Sequence, residues 1–418
     1  MDKFFNLKTA VAALSVLLVA AIVLGLMGYL SLRRQLGPGG TPPVTSDPGN
    51  STPGEDSVAT KGSYTLSLKD YGAKGDGKTD DTQAVKSWLA ALKPGYTGYI
   101  PAGEYVFKEP LVGPQVKGVG IRGEGAQQSI LVYQGDDRDC DLLTLGSDSK
   151  LTALTGWILQ GFSVESDVRM IGGTALRLRW MQGGTRIMDV DISRLNKEKN
   201  LWDGVWFDCC NVATYDGFNI NVRNEGVIVS GADDSDAASD VSLDHGAITF
   251  CTVGIHVGGG FGGLYVGQVL VYGVEQTGFL WDNARANRAN REIILTSECV
   301  LDAGHSYGVH VNDPLSDQAT FQIDAYFSGA GWIEPATPGD NIFIEKMPSG
   351  RVSIGSTQLR YPARHNLHVA DSTTDILISP TCFIVGARGY GIYTTYGNGN
   401  NIVFDGKFEY NARGNRNY

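Results

Sequence analysis

The chain has 418 residues, with 55 Gly against 15 Pro, 10% aromatic residues and only 19% charged residues. This composition describes a turn-rich β protein and excludes a helical or disordered one. The net charge of -11 excludes a general nucleic-acid binder, because phosphate contacts need clustered Lys and Arg.

From Thr9 to Leu32 there are 24 consecutive uncharged residues, mostly Ala, Val, Leu and Ile. A helix of that length crosses a bilayer core of about 30 Å. The run ends in Gly28-Tyr29-Leu30-Ser31-Leu32-Arg33-Arg34 without the small-x-small site of a cleaved signal peptide, so residues 1–36 are expected to be an uncleaved membrane anchor. Lys3 and Lys8 lie on one flank and Arg33 and Arg34 on the other, so the positive-inside rule does not fix the orientation. Residues 37–63 carry Pro38, Pro42, Pro43, Pro48 and Pro53 among Gly, Ser and Thr, a composition that cannot build a core and suits a flexible tether. The expected arrangement is a tethered domain, residues 64–418, on the extracytoplasmic side.

The tether is followed by one helix. Thr79-Asp80-Asp81-Thr82 supplies capping side chains, Ala84, Val85, Trp88, Leu89 and Leu92 share a face, and Pro94-Gly95 stops the helix. From Tyr99 onward the apolar alternation is that of strands. One element has the form Gly/Asn-apolar-x-apolar and begins at Gly204, Gly226, Gly254, Gly278, Gly308, Asn341, Asn366 and Gly391, at intervals of 22 to 33 residues. A second element lies between these, as in Arg186–Ile192, Phe218–Val222, Val352–Ile354 and Ile376–Ile378. Two short strands per period are a repeat architecture whose units bury their apolar edges only by stacking. A propeller needs four-stranded blades and a leucine-rich array needs regular Leu and Asn. The spacing therefore predicts an all-β, single-stranded parallel β-helix of about ten coils with an N-terminal capping α-helix. Cys140, Cys209, Cys210, Cys251, Cys299 and Cys382 show no CxxC pair and no metal-ligand spacing, and are expected to be buried small apolar residues.

The segment Lys69-Asp70-Tyr71-Gly72-Ala73-Lys74-Gly75-Asp76-Gly77-Lys78-Thr79-Asp80-Asp81-Thr82, then a helix, then Tyr99-Ile100-Pro101-Ala102-Gly103-Glu104-Tyr105, resembles the N-terminal signature of the pectate-lyase-like superfamily. The resemblance is to its rhamnogalacturonase and epimerase-like domains, which also occur in phage tailspikes, and it implies a right-handed β-helix plugged by the helix. Members cleave, epimerise or only bind polysaccharide, so the fold does not select the reaction. The signature itself reads as architecture: its glycines turn, its aspartates cap.

Chemistry on a glycan calls for paired carboxyl groups, or a base beside a uronate whose carboxylate is steadied by Arg or a metal. With Met188, Val190 and Ile192 facing inward, Asp189 and Asp191 would face outward about 7 Å apart, at ~3.3 Å per residue. They are the candidate acid and base, with Asp244 and Glu298 as substitutes; solubilising outer-face residues are the plain alternative. Asn219, Asn221 and His245 extend a polar strip, followed by Asp302, Gln322 and Asp324. Trp206, Tyr265, Tyr272 and Trp281 could stack on sugar rings or simply pack. Arg177 with Arg179, and Arg285 with Arg288, could grip acidic groups bidentately or be ordinary surface. Polygalacturonases carry paired aspartates, then His-Gly one coil later, then Arg-x-Lys. Here Asp233-Asp234 and His245-Gly246 are too close, and no Arg-x-Lys follows. The loop with Asp233, Asp234, Asp236 and Asp240 could hold calcium but lacks the glycine and terminal glutamate of a helix-loop-helix site; no other cofactor is expected.

Three functions follow as expectations: an exported polysaccharide-processing enzyme acting on an acidic glycan, a non-catalytic glycan-binding or adhesion module, and a tailspike-like assembly such as a homotrimer. The strand Ile402-Val403-Phe404 near Asn415-Arg416-Asn417-Tyr418, without an evident cap, suggests an edge that assembly would cover.

Overall fold

The computed structural model describes residues 64–417, except 194–199, 232–238, 286–289, 303–305, 313–315, 331–338, 348, 373 and 396–401. The expected anchor and tether, Asp233, Asp234, Asp236 and Arg288 thus lie outside the described residues. Among the described residues no helix is long and apolar enough to cross a membrane.

The domain is a parallel β-solenoid of about eleven turns, where about ten were expected. One sheet has 12 strands, one per coil, and holds the Gly/Asn-apolar-x-apolar elements; a 23-stranded sheet holds the others. In the 12-stranded sheet Thr174–Arg179, Asp203–Asp208, Glu225–Ser230, Val253–Val257 and Thr277–Trp281 pair in parallel, each with the next. Its inward column is Leu178, Phe207, Val229, Val257, Trp281, Val311, Ile344 and Val369, in register and all at 0% exposure. Each fully buried aliphatic side chain there contributes about 1.5–3 kcal/mol. Trp281, a candidate sugar platform in the sequence, is core.

The small residue that opens each repeat has a steric cause. A Cβ on Gly204 would lie 2.2 Å from the carbonyl oxygen of Gly226, and one on Gly226 would lie 2.6 Å from that of Gly254. Successive coils approach too closely at this corner for a side chain. Further on, Asn341 and Asn366 occupy the same position, and Nδ2 of Asn341 donates to Oδ1 of Asn366 at 2.7 Å. A ladder of glycines gives way to a ladder of amides.

The wide sheet turns a second corner through left-handed backbone. Gly161, Asp189, Gly217 and His245 have φ of 70°, 51°, 70° and 48° at successive coils. That corner breaks the period-2 alternation of Arg186–Ile192. Ile187, Val190 and Ile192 are buried, whereas Met188, expected to point inward, is only half-buried.

Helix α1 (Thr82–Ala91) buries Thr82, Val85, Trp88 and Leu89 against the first coil. Trp88 lies over Gly98 and its Nε1 donates to the Leu66 carbonyl at 2.8 Å. Asp80 caps the helix, Oδ1 accepting from the Thr82 N–H at 3.0 Å, while Asp81 instead accepts from the Lys74 and Gly75 N–H groups and ties down the glycine-rich turn. All six cysteines are free thiols, five of them buried; Cys140 is half-exposed.

Candidate functional site

The outward position of each narrow-sheet strand is the x of the repeat. In register order it places Arg177, Trp206, Ile228, His256, Leu280, His310, Phe343, His368 and Tyr393 on one outer face.

On this face the Trp206 ring lies between two guanidinium groups, Arg177 at 3.9 Å and Arg285 at 4.8 Å from its centroid. Its Nε1 donates to Ser230 Oγ at 2.9 Å, which fixes the ring. Arg177 bridges Asp141 at 2.9 Å and Asp208 at 2.7 Å, and Arg179 reaches Asp208 and Asp148, both at 3.2 Å. Asp208 Oδ2 accepts from both arginines and holds the two guanidinium groups side by side.

Beside the tryptophan, on neighbouring coils, lie Asp203, Glu225, His256 and Asp282. His256 is 4% exposed; its Nδ1 is 2.9 Å from Glu225 Oε1 and its Nε2 is 2.9 Å from Asp282 Oδ1. With an anionic acceptor at each nitrogen, both must carry protons, so the ring is an imidazolium. Burial opposes that charge, but the hydrogen bonds to Asp282 and Glu225 prevail and raise its pKa to about 9. Burial likewise disfavours the Glu225 carboxylate, yet the His256 contact and the Arg285 ion pair hold it below its usual range. Asp203 behaves oppositely. Burial, and then the Glu225 charge, push it up to about 6, against the opposing hydrogen bond from Asn224 at 2.8 Å. Asp203 also accepts from the Glu225 N–H at 3.1 Å, so the two residues are locked together. A carboxyl group raised to about 6 beside one held ionised is an arrangement that acid–base chemistry can use.

Most of the described candidate residues taken from the sequence lie in two places. Arg177, Arg179 and Arg285 belong to this face. Asp189, Asp191, Asn219, Asn221, Asp244 and His245 belong to the wide sheet and its left-handed corner. Asp191 is not an exposed carboxylate: it is at 0% exposure and accepts from Gln127 Nε2 at 2.9 Å and the Asn219 N–H at 2.8 Å. That contact makes it a clamp between coils. Asp189 sits at the corner itself, where a Cβ on Gly217 would come within 2.8 Å of its Oδ1. His245 Nδ1 is 2.8 Å from Asp216 Oδ1 and 3.6 Å from Asp244 Oδ2. Asp244 Oδ1 accepts from the Gln268 N–H at 2.7 Å. Asn221 is half-buried, Tyr265 is 44% exposed on the wide sheet, and Tyr272 stacks edge-on with Phe250. Glu298 is exposed in a turn, and Gln322 donates to Asp324 at 2.6 Å; neither joins the others. Among the described residues no group of three or more His, Cys, Asp or Glu could hold a metal ion; of the suggested calcium loop only Asp240 is described.

Asp203, Glu225, His256 and Asp282 escape a search for paired carboxylates because they are 22 to 31 residues apart. The signal was the x column of the repeat, where Trp206, His256, His310 and His368 stand out.

Residues 65–169 match the family described as rhamnogalacturonase A/epimerase, pectate lyase-like. The chain is 55% identical over 40 residues to alginate lyase 7 of Azotobacter vinelandii, a stretch covering 9% of this chain and 5% of that one. The curated relatives are matched over only 5–14% of their own length. The fold is similar to the A-module of a mannuronan C-5 epimerase from Azotobacter vinelandii, at 14% identity and a TM-score of 0.57, covering 84% of this chain and 97% of that one. It is also similar to tailspike protein 3 of bacteriophage CBA120, at 13% identity and a TM-score of 0.55, covering 82% and 61%. The family match thus covers residues 65–169, and beyond them the likeness to these proteins is one of fold.

Proposed function

We propose that the chain processes an acidic polysaccharide by acid–base chemistry on the outer face of the narrow sheet. Asp203 is the proton donor and Glu225 the ionised partner; His256, Asp282 and Arg285 position Glu225, and Trp206 with Arg177 forms the platform. The observation that carries this reading is the opposite shift of two adjoining carboxyl groups, Asp203 upward to about 6 and Glu225 downward. Hydrolysis, elimination and epimerisation all use such a pair. The similarity to an alginate lyase and to a mannuronan epimerase supports the polysaccharide class. The apolar run Thr9–Leu32 supports a membrane anchor, with a right-handed β-helix held outside by residues 37–63.

Incubation with alginate, pectin and bacterial acidic polysaccharides tests this. New reducing ends would report hydrolysis, an unsaturated uronate chromophore elimination, and a changed uronate ratio by NMR epimerisation. No product on any of them, or turnover unchanged in Asp203→Asn, overturns the reading. A non-catalytic glycan-binding module is the second reading, favoured by the way His256 and Arg285 already neutralise Glu225 and Asp282. Similarity to a tailspike supports an assembled form, which sedimentation of the full chain would reveal as a trimer.

A further inference from the structure

A second cleft lies on the ridge of turns that lead into the narrow sheet. It has a volume of about 710 Å³ and takes residues from successive coils: Arg169, Trp202, Arg223, Phe250 and Glu275, with Asp167 at its start. Four coil-to-coil steps at ~4.8 Å each give a length of about 19 Å. The volume is that of a small-molecule or oligosaccharide site, and no lining residue belongs to the acid–base pair on the neighbouring face.

Its chemistry is specific. The Arg223 guanidinium lies over the Trp202 ring at 5.1 Å and is steadied by donation from Nη1 to the Met170 carbonyl, which leaves further N–H groups for a ligand. Burial and the like charge of Arg169 disfavour the Arg223 cation and outweigh the opposing Glu275 charge. Neither arginine makes an ion pair among the described residues, whereas Arg177, Arg179, Arg285 and Arg364 are all paired. Phe250 is 43% exposed, a ring left facing solvent beside these charges. Two neighbouring cations, with the Glu275 charge nearby and Trp202 and Phe250 in the same lining, match a chain that alternates carboxylates with apolar sugar faces.

We infer that this ridge cleft is a separate binding site for a uronate-bearing oligosaccharide, gripped through its carboxylates by Arg169 and Arg223 and stacked on Trp202 and Phe250. The inference rests on the polysaccharide reading for its ligand class and not on the catalytic assignment.

Isothermal titration of the full chain with hexamers of galacturonate and of mannuronate, and with a neutral maltohexaose control, tests the site. The expected result is saturable binding of at least one uronate hexamer, weak binding of the neutral one, and about a tenfold loss of affinity in Arg169→Ala, the scale of one charge-assisted contact. Arg223→Ala also removes the Met170 contact, so the exposed Arg169 and the stacking variant Trp202→Phe serve as variants that leave the fold undisturbed. Equal affinity for neutral and acidic hexamers, or unchanged uronate binding in folded Arg169→Ala, overturns the site. Asp203→Asn separates the two proposals. It should abolish turnover and leave ridge binding intact; binding that persists without any turnover removes the catalytic reading alone, and turnover with Arg169-independent binding removes the ridge site alone.

Discussion

Glu225 and His256 are 31 residues apart in the chain and 2.9 Å apart in space, because one solenoid turn brings the start of one narrow-sheet strand beside the middle of the next. Since the His256 pKa is raised from 6.5 to about 9, its contribution to stability is fully present below about 6.5 and is lost as pH rises through about 9. For so buried a group the shift corresponds to about 3 kcal/mol. His256→Gln should lower the melting temperature at neutral pH and flatten the alkaline decline; thermal melts of both proteins across this range check it.

Activity should require protonated Asp203 and therefore fall on the alkaline side of about 6. The same raised pKa makes its ionisation destabilising, so folding stability also declines as pH climbs from the ordinary carboxylate range through about 6. Asp203→Asn should remove that decline from the pH–stability curve and reduce kcat by at least about a hundredfold. A pH–rate profile unchanged by that substitution would reassign the proton donor.

Much of the fold was legible. A Gly or Asn before an apolar-x-apolar triplet marked eight of the 12 narrow-sheet strands, and the capped helix lay where its pattern put it. The site was less legible, for a geometric reason. Carrying a period of two through Arg186–Ile192 assumes a straight strand, but the left-handed corner at Asp189 resets the phase, so Ile187 is buried in place of Met188; beyond the corner Val190 and Ile192 are buried as expected, and Asp191 is covered by Gln127 and Asn219. His245 sits at the equivalent corner two coils later. Nothing in the order of the residues pairs Arg177 with Arg285; they act together only because both flank Trp206.

Gly226→Ala should destabilise by about 3 kcal/mol, because its Cβ would meet both the Ile248 side chain at 2.4 Å and the Gly254 carbonyl at 2.6 Å. Gly95→Ala, with a φ of 82° and open space around it, should cost only about 1 kcal/mol. Denaturant unfolding of the two variants gives the comparison.

Asp340 is at 0% exposure and binds Arg364 through both oxygens, the His368 ring at 3.0 Å and the His365 N–H at 2.8 Å. Burial disfavours its charge, but Arg364 and His368 overcome this and hold its pKa below the usual range. Asp340→Ala strands a partly buried cation and should cost about 3–5 kcal/mol, measurable by the same unfolding experiment.

The acid–base cluster draws one or two residues from each of several stacked coils, so its dimension along the solenoid axis is quantised. Groups can be moved apart only by whole strand separations of ~4.8 Å, by inserting or removing a complete turn. Reach along a polymer is therefore set by an integer number of coils, while reach across it is free to vary with side-chain length.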